Sequence, residues 1–172
     1  MAKMSTTDEV LAANQQYASK FDKGSLTMPP ARKLAILACM DARLSVEQLL
    51  GLKTGDAHII RNAGGIATED ALRSLIISHH LLGTQEFMVI NHTDCGMLTF
   101  KDDDVKAQIE SEVGIRPAFA LESFSDLEGD VRQSIARIEA SPFIPNKSSV
   151  RGFVYDVRTG RLNEVRAAVP AR

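Results

Sequence analysis

Leu34-Ala35-Ile36-Leu37-Ala38 is an unbroken apolar run that leads directly into Cys39-Met40-Asp41-Ala42-Arg43. Continuous apolar residues without polar alternation mark a strand covered on both faces, the pattern of a parallel sheet. Two further runs fit that sheet. Ala57-His58-Ile59-Ile60-Arg61 enters the turn Asn62-Ala63-Gly64-Gly65, and Phe87-Met88-Val89-Ile90 runs toward His92-Thr93-Asp94-Cys95-Gly96.

Helical segments separate these strands. Ser45 to Leu50 reads as a short helix stopped by Gly51. Thr68 caps a longer one with Glu69 and Asp70 in its first turn; its apolar positions run through Leu72, Leu75, Ile76 and His79 to Leu82, and Gly83 ends it. Upstream, residues 7–20 place Val10, Leu11, Ala13 and Tyr17 on one apolar face, before Gly24 and Met28-Pro29-Pro30 break the helix. Downstream, Asp102-Asp103-Asp104 opens a helix and Gly129 to Ala140 gives another. Gly152–Asp156 and Leu162–Val165 flank a Thr159-Gly160 turn as a hairpin. The stretch from Glu112 to Leu127 is the least regular and reads as a surface excursion. The expected fold is α/β, a single domain over residues 1–172. It has a mainly parallel central sheet flanked by helices, a C-terminal hairpin giving an antiparallel edge strand, and an N-terminal helical arm at about 5–22.

Composition narrows the function classes. The 172 residues are 44% hydrophobic and 24% charged, typical of a soluble globular protein. A net charge of −2 gives no electrostatic case for nucleic acid or an anionic membrane, and the chain has no tryptophan for a base-stacking platform. No apolar run approaches the ~20 residues of a membrane span. Residues 1–22 lack the basic start and apolar centre of a signal peptide. With two cysteines and no export signal, no disulfide framework is expected. The expectation is a cytoplasmic protein whose thiols stay reduced.

In open parallel sheets, functional groups gather beyond the carboxyl ends of the strands. Cys39 ends the first strand, His92 and Cys95 follow the third, and the Asn62–Gly64 turn ends the second, so all share that edge. Two thiolates and an imidazole form the ligand set of a zinc ion that keeps one position open. Asp41 and Arg43 flank a single residue beside Cys39, close enough to pair, and such a pair would orient and ionise the carboxylate next to the metal. Nothing joins His58, His79 or His80 to a thiol, and these are expected to be structural or surface residues. Cys39 as a covalent nucleophile fits less well. A thiolate phosphatase needs Cys-x5-Arg, and a Cys39–His92 hydrolase leaves Cys95 unexplained. A structural or sensing zinc module, closed by Asp41 as fourth ligand, is the non-enzymatic alternative.

In order and spacing, Cys39-Met40-Asp41-Ala42-Arg43, Arg61-Asn62-Ala63-Gly64-Gly65 and His92-Thr93-Asp94-Cys95-Gly96 resemble the β-class carbonic anhydrases, over roughly residues 5–165. The resemblance implies that Cys39, His92 and Cys95 bind one zinc ion per chain, with Asp41 and Arg43 as the catalytic dyad. It also implies that Asp41 can take the fourth zinc position in a closed state. It further implies a homodimer or dimer of dimers, the N-terminal helix reaching across a partner. The short-chain branch resembles both carbonic anhydrases and carbonyl sulfide hydrolases. The expected reaction is addition of hydroxide to a small linear cumulene: CO2 first, carbonyl sulfide as the alternative. A non-catalytic bicarbonate-sensing module is more distant. Backbone N–H groups near Gly64, Gly65 or Gly96 are expected to steady the oxyanion, and Met97 and Leu98 to line the pocket.

Overall fold

The structure, a computed structural model, describes residues 4–166. Residues 1–3 and 167–172, which the single-domain expectation included, lie outside the described residues. Helix α1 (Thr6–Ala18) is followed by β1 (Leu34–Cys39), α2 (Val46–Leu50), β2 (Ala57–Asn62), α3 (Glu69–Leu82) and β3 (Glu86–His92). Then come α4 (Asp102–Val113), α5 (Leu127–Ala140), β4 (Ser149–Tyr155) and β5 (Leu162–Val165). The sheet runs β2-β1-β3-β4-β5; the first four strands are parallel, and β5 pairs antiparallel with β4. This is the expected α/β architecture with its terminal hairpin.

The apolar run of β1 is central because both of its faces are covered. Ala35 and Leu37, with Phe87 and Val89 of β3, pack under Ala71 and Leu75 of α3 and Ile138 of α5. Ile36, Ala38 and Ile90 point to the other side, where Val46 of α2 meets them. Register then sets the site. Cys39 lies beside Asn62, Ala38 beside Ile90 and His92 beside Tyr155, so β1 and β2 finish at one level and β3 and β4 one residue beyond it. The Thr68 side chain accepts the Ala71 amide, as the sequence signals, whereas α5 starts at Leu127, two residues before the expected Gly129, because the Asp126 side chain caps it by accepting the Gly129 amide.

Three further details differ from expectation. The apolar face of α1 exists, but none of its residues is buried within the chain; Val10, Leu11 and Tyr17 are all exposed. Strand β3 extends through His92, because pairing with β4 continues to Tyr155. The stretch 112–127 is more than a surface excursion. It begins inside α4, and the Asp102 carboxylate then accepts the backbone amides of Leu121, Glu122 and Ser123. That clasp delivers Phe124, whose amide donates to the Met97 carbonyl, against the cluster holding Cys39 and Cys95. No sequence period announces it, because the contacts are backbone to carboxylate across about a score of residues.

Candidate metal centre and active site

The carboxyl edge of the sheet brings together three side chains from two strands. One ligand atom each from Cys39, His92 and Cys95 lies within 4.8 Å of the others, and all three residues are buried. Cys39 is the last residue of β1, His92 the last of β3, and Cys95 follows in the loop. The His92 ring is oriented by its Nδ1–H, which donates to the Thr93 carbonyl at 2.9 Å. Its Nε2 is buried without a hydrogen-bond partner among the described residues. A bare imidazole nitrogen, fixed in tautomer and aimed at two thiols, is a metal-ligand arrangement.

The thiols point the same way. A hydrogen bond from Cys95 holds Cys39 well below the usual thiol range, opposed by burial and aided by His92 and by the Asp41 and Gly64 amides. The same contact, with burial, pushes Cys95 up. The first thiolate is therefore welcome and the second is costly. Both ionise together only if a cation sits between them. The donor set and the orphaned Nε2 fit zinc.

Asp41 stands beside this cluster, one of its oxygens 3.6 Å from His92 Nε2. Arg43 grips it with a bidentate fork, Nε to Oδ1 at 2.9 Å and Nη2 to Oδ2 at 2.8 Å, and the Arg43 amide adds a third bond at 2.8 Å. Those bonds hold the Asp41 carboxyl far below the usual carboxylate range, against a smaller effect of burial. The expected pair thus forms, in the protonation state expected of it.

The other predicted site residues separate. Gly64, Gly96 and Met97 line a cleft of about 430 Å³ with the three metal-ligand residues and Asp41. The Gly64 amide lies close enough to Cys39 to favour its thiolate. Gly65 is buried away from the cleft, at φ +73°. Leu98 lines a neighbouring cavity of about 470 Å³. His58 bonds Ser78, His79 the Thr84 carbonyl and His80 the Phe143 carbonyl, away from the cluster.

Four participants escaped the sequence reading. Arg61 pins the loop backbone by donating to the carbonyls of Cys39 and Asp41. Phe100 lines the cleft, and Phe124 packs on the cluster from behind. Asp94 takes two bonds from Arg43. Only Arg61 and Asp94 carried a signal, since both lie inside the quoted motifs.

The family model described as carbonic anhydrase matches residues 34–162, a span that includes every one of these groups. The chain belongs to the β-carbonic anhydrase family. It is 58% identical to β-carbonic anhydrase 1 of Mycobacterium tuberculosis over 162 residues, covering 94% of this chain and 99% of that one. It is also 36% identical to the carbon disulfide hydrolase of Saccharolobus solfataricus, covering 91% and 87% of the two chains. Among solved structures, a carbonic anhydrase from Streptococcus mutans superposes with a TM-score of 0.90 at 42% identity, covering 95% of this chain and 99% of that one. This β-carbonic anhydrase family member is therefore an enzyme of the carbonic anhydrase type. Among its described residues, no helix is long and apolar enough to cross a membrane.

Proposed function

We propose that Cys39, His92 and Cys95 hold one zinc ion per chain and that the site hydrates CO2 reversibly to bicarbonate. The observation that carries this reading is the bare, buried His92 Nε2 between two thiols, with an ionised carboxylate 3.6 Å away. When bound, zinc supplies a water acidic enough to act as a nucleophile near neutral pH. Asp41 accepts a hydrogen bond from the attacking water and so turns a lone pair toward the cleft. Arg43 keeps Asp41 ionised and stops it from rotating. Met97 and Phe100 give the cleft the apolar wall that a small linear molecule needs. Gly64 and Gly96 both stand at the cleft, where their backbone N–H groups would steady the developing oxyanion.

Asp41 can also close the site. Two ligands at ~2.0–2.1 Å on a tetrahedral ion stand ~3.4 Å apart. The 3.6 Å between Asp41 and His92 is close to that separation, so releasing Arg43 is the main obstacle to closure.

A second reading is carbonyl sulfide hydrolysis to hydrogen sulfide and CO2. The relationship to a carbon disulfide hydrolase favours it and adds carbon disulfide as a third cumulene. Purified zinc-loaded protein should be assayed with CO2, carbonyl sulfide and carbon disulfide in parallel. We expect CO2 to give the largest kcat/KM, and hydrogen sulfide release exceeding CO2 hydration would transfer the assignment. Zinc at full occupancy without turnover of any of the three would leave only the sensing module.

We further propose a homodimer or dimer of dimers in the cytoplasm, where the two thiols stay reduced. Helix α1 buries nothing of its own chain, while an apolar groove of about 500 Å³ lies open between α3 and α5. The groove is remote from the metal cluster, which makes it a docking surface rather than a reaction site. Light scattering that gives the 18.8 kDa of one chain would contradict this assembly.

A further inference from the structure

The Asp41–Arg43 pair is local, formed by residues two apart in one loop. Such a pair fixes its members relative to each other but not relative to the metal ligands across the cleft. A second contact does that. Arg43 Nη1 donates to Asp94 Oδ2 at 2.9 Å, and Nη2 donates to the Asp94 carbonyl at 3.0 Å. Asp94 lies between the ligands His92 and Cys95, and the two bonds span 51 positions of sequence. The guanidinium therefore bridges the loop carrying one thiol to the loop carrying the other two ligand residues.

We propose that Asp94 is a positioning residue for the reaction: it anchors Arg43 to the ligand loop, so that Arg43 presents Asp41 to the attacking water in one fixed orientation. Arg61 already holds the backbone of the Asp41 loop through two carbonyls. Side-chain orientation is left to Arg43, and among the described residues Asp94 is the only partner of its Nη1.

By exposure this is a surface ion pair: the Arg43 and Asp94 side chains are 47% and 72% exposed, and pairs so open to solvent contribute little to folding, so its role has to show in turnover rather than in stability. The backbone supports a specific role as well. Asp94 adopts φ +57°, the left-handed region, where Asp and Asn are tolerated better than most residues. That conformation places the carbonyl and the carboxylate on the same guanidinium.

The same backbone feature supplies a clean test. Asp94→Gly removes the carboxylate at a position where glycine relieves strain, and Asp94→Asn keeps an oxygen acceptor without the charge. In zinc-loaded protein we expect Asp94→Gly to lower kcat about 10-fold, the lower end for partners that orient a metal site. KM and zinc content should stay within twofold of wild type, and Asp94→Asn should recover part of the loss. If Asp94 acts through Arg43, adding Asp94→Gly to Arg43→Lys should cost less than twofold more. Arginine side-chain NMR gives a readout independent of turnover: the Arg43 Nε–H signal, sharp in wild type, should broaden in Asp94→Gly. An unchanged kcat, or an unchanged Arg43 signal, would overturn the inference. So would a loss that multiplies fully with Arg43→Lys. The inference rests on Asp41 orienting the water. Wild-type protein inert toward CO2 would sink that reading, whereas an active wild type indifferent to Asp94→Gly would sink only the role of Asp94.

Discussion

Asp41→Ala is expected to retain one equivalent of zinc while CO2 hydration falls by ~10²-fold or more. The two halves of this expectation have separate causes. In the proposed site zinc affinity would reside in Cys39, His92 and Cys95, whose positions come from strand ends and from the Thr93 carbonyl rather than from the Asp41 side chain. Turnover depends on the direction of the attacking water, and Asp41 is the ionised acceptor placed to set it. Stability should hardly change. The Asp41–Arg43 pair is formed by side chains 19% and 47% exposed, so its loss should hardly move the melting curve. Metal analysis, stopped-flow hydration and a melting curve on the same preparation check all three statements. A rate within twofold of wild type would remove Asp41 from the mechanism.

Gly65→Ala should instead damage the fold that carries the site. An added Cβ would lie 2.8 Å from the Cys39 backbone nitrogen and 2.9 Å from the Ile90 carbonyl oxygen. Both are main-chain atoms of the central strands, so neither can swing aside as a flexible side chain would. The residue also sits at φ +73°, where any L side chain is strained. We expect a loss of roughly 3–5 kcal/mol, seen as a fall in Tm of roughly 6–20 °C for a chain of this length. A variant melting within 2 °C of wild type would show that the turn can give way.

These two residues also show what the sequence could and could not reveal. The Cys39, His92 and Cys95 cluster was legible because chemistry and topology coincide: both cysteines of the chain fall at the carboxyl edge of strands recognisable from their apolar runs. Asp41 and Arg43 were legible because their contact is local. Gly65 stood out as part of a glycine turn, but its close approach to the Cys39 and Ile90 backbone depends on two strands meeting in register. Asp94 stood inside a quoted motif, but its role was hidden for the same reason, since its bond to Arg43 spans two loops and its left-handed backbone leaves no mark in composition. The clasp of Asp102 on 121–123 and the packing of Phe124 behind the metal cluster likewise arise from tertiary placement of an irregular stretch. Helix α1 shows the opposite case, an amphipathic pattern whose apolar face is left exposed by the described residues of its own chain.

X-ray absorption at the zinc edge of the purified protein near neutral pH tests the central claim most directly. We predict two sulfur neighbours at ~2.3 Å and two nitrogen or oxygen neighbours at ~2.0–2.1 Å, one with the outer-shell scattering of an imidazole. A shell with no sulfur, a shell of four sulfurs, or protein that takes up no zinc would contradict it.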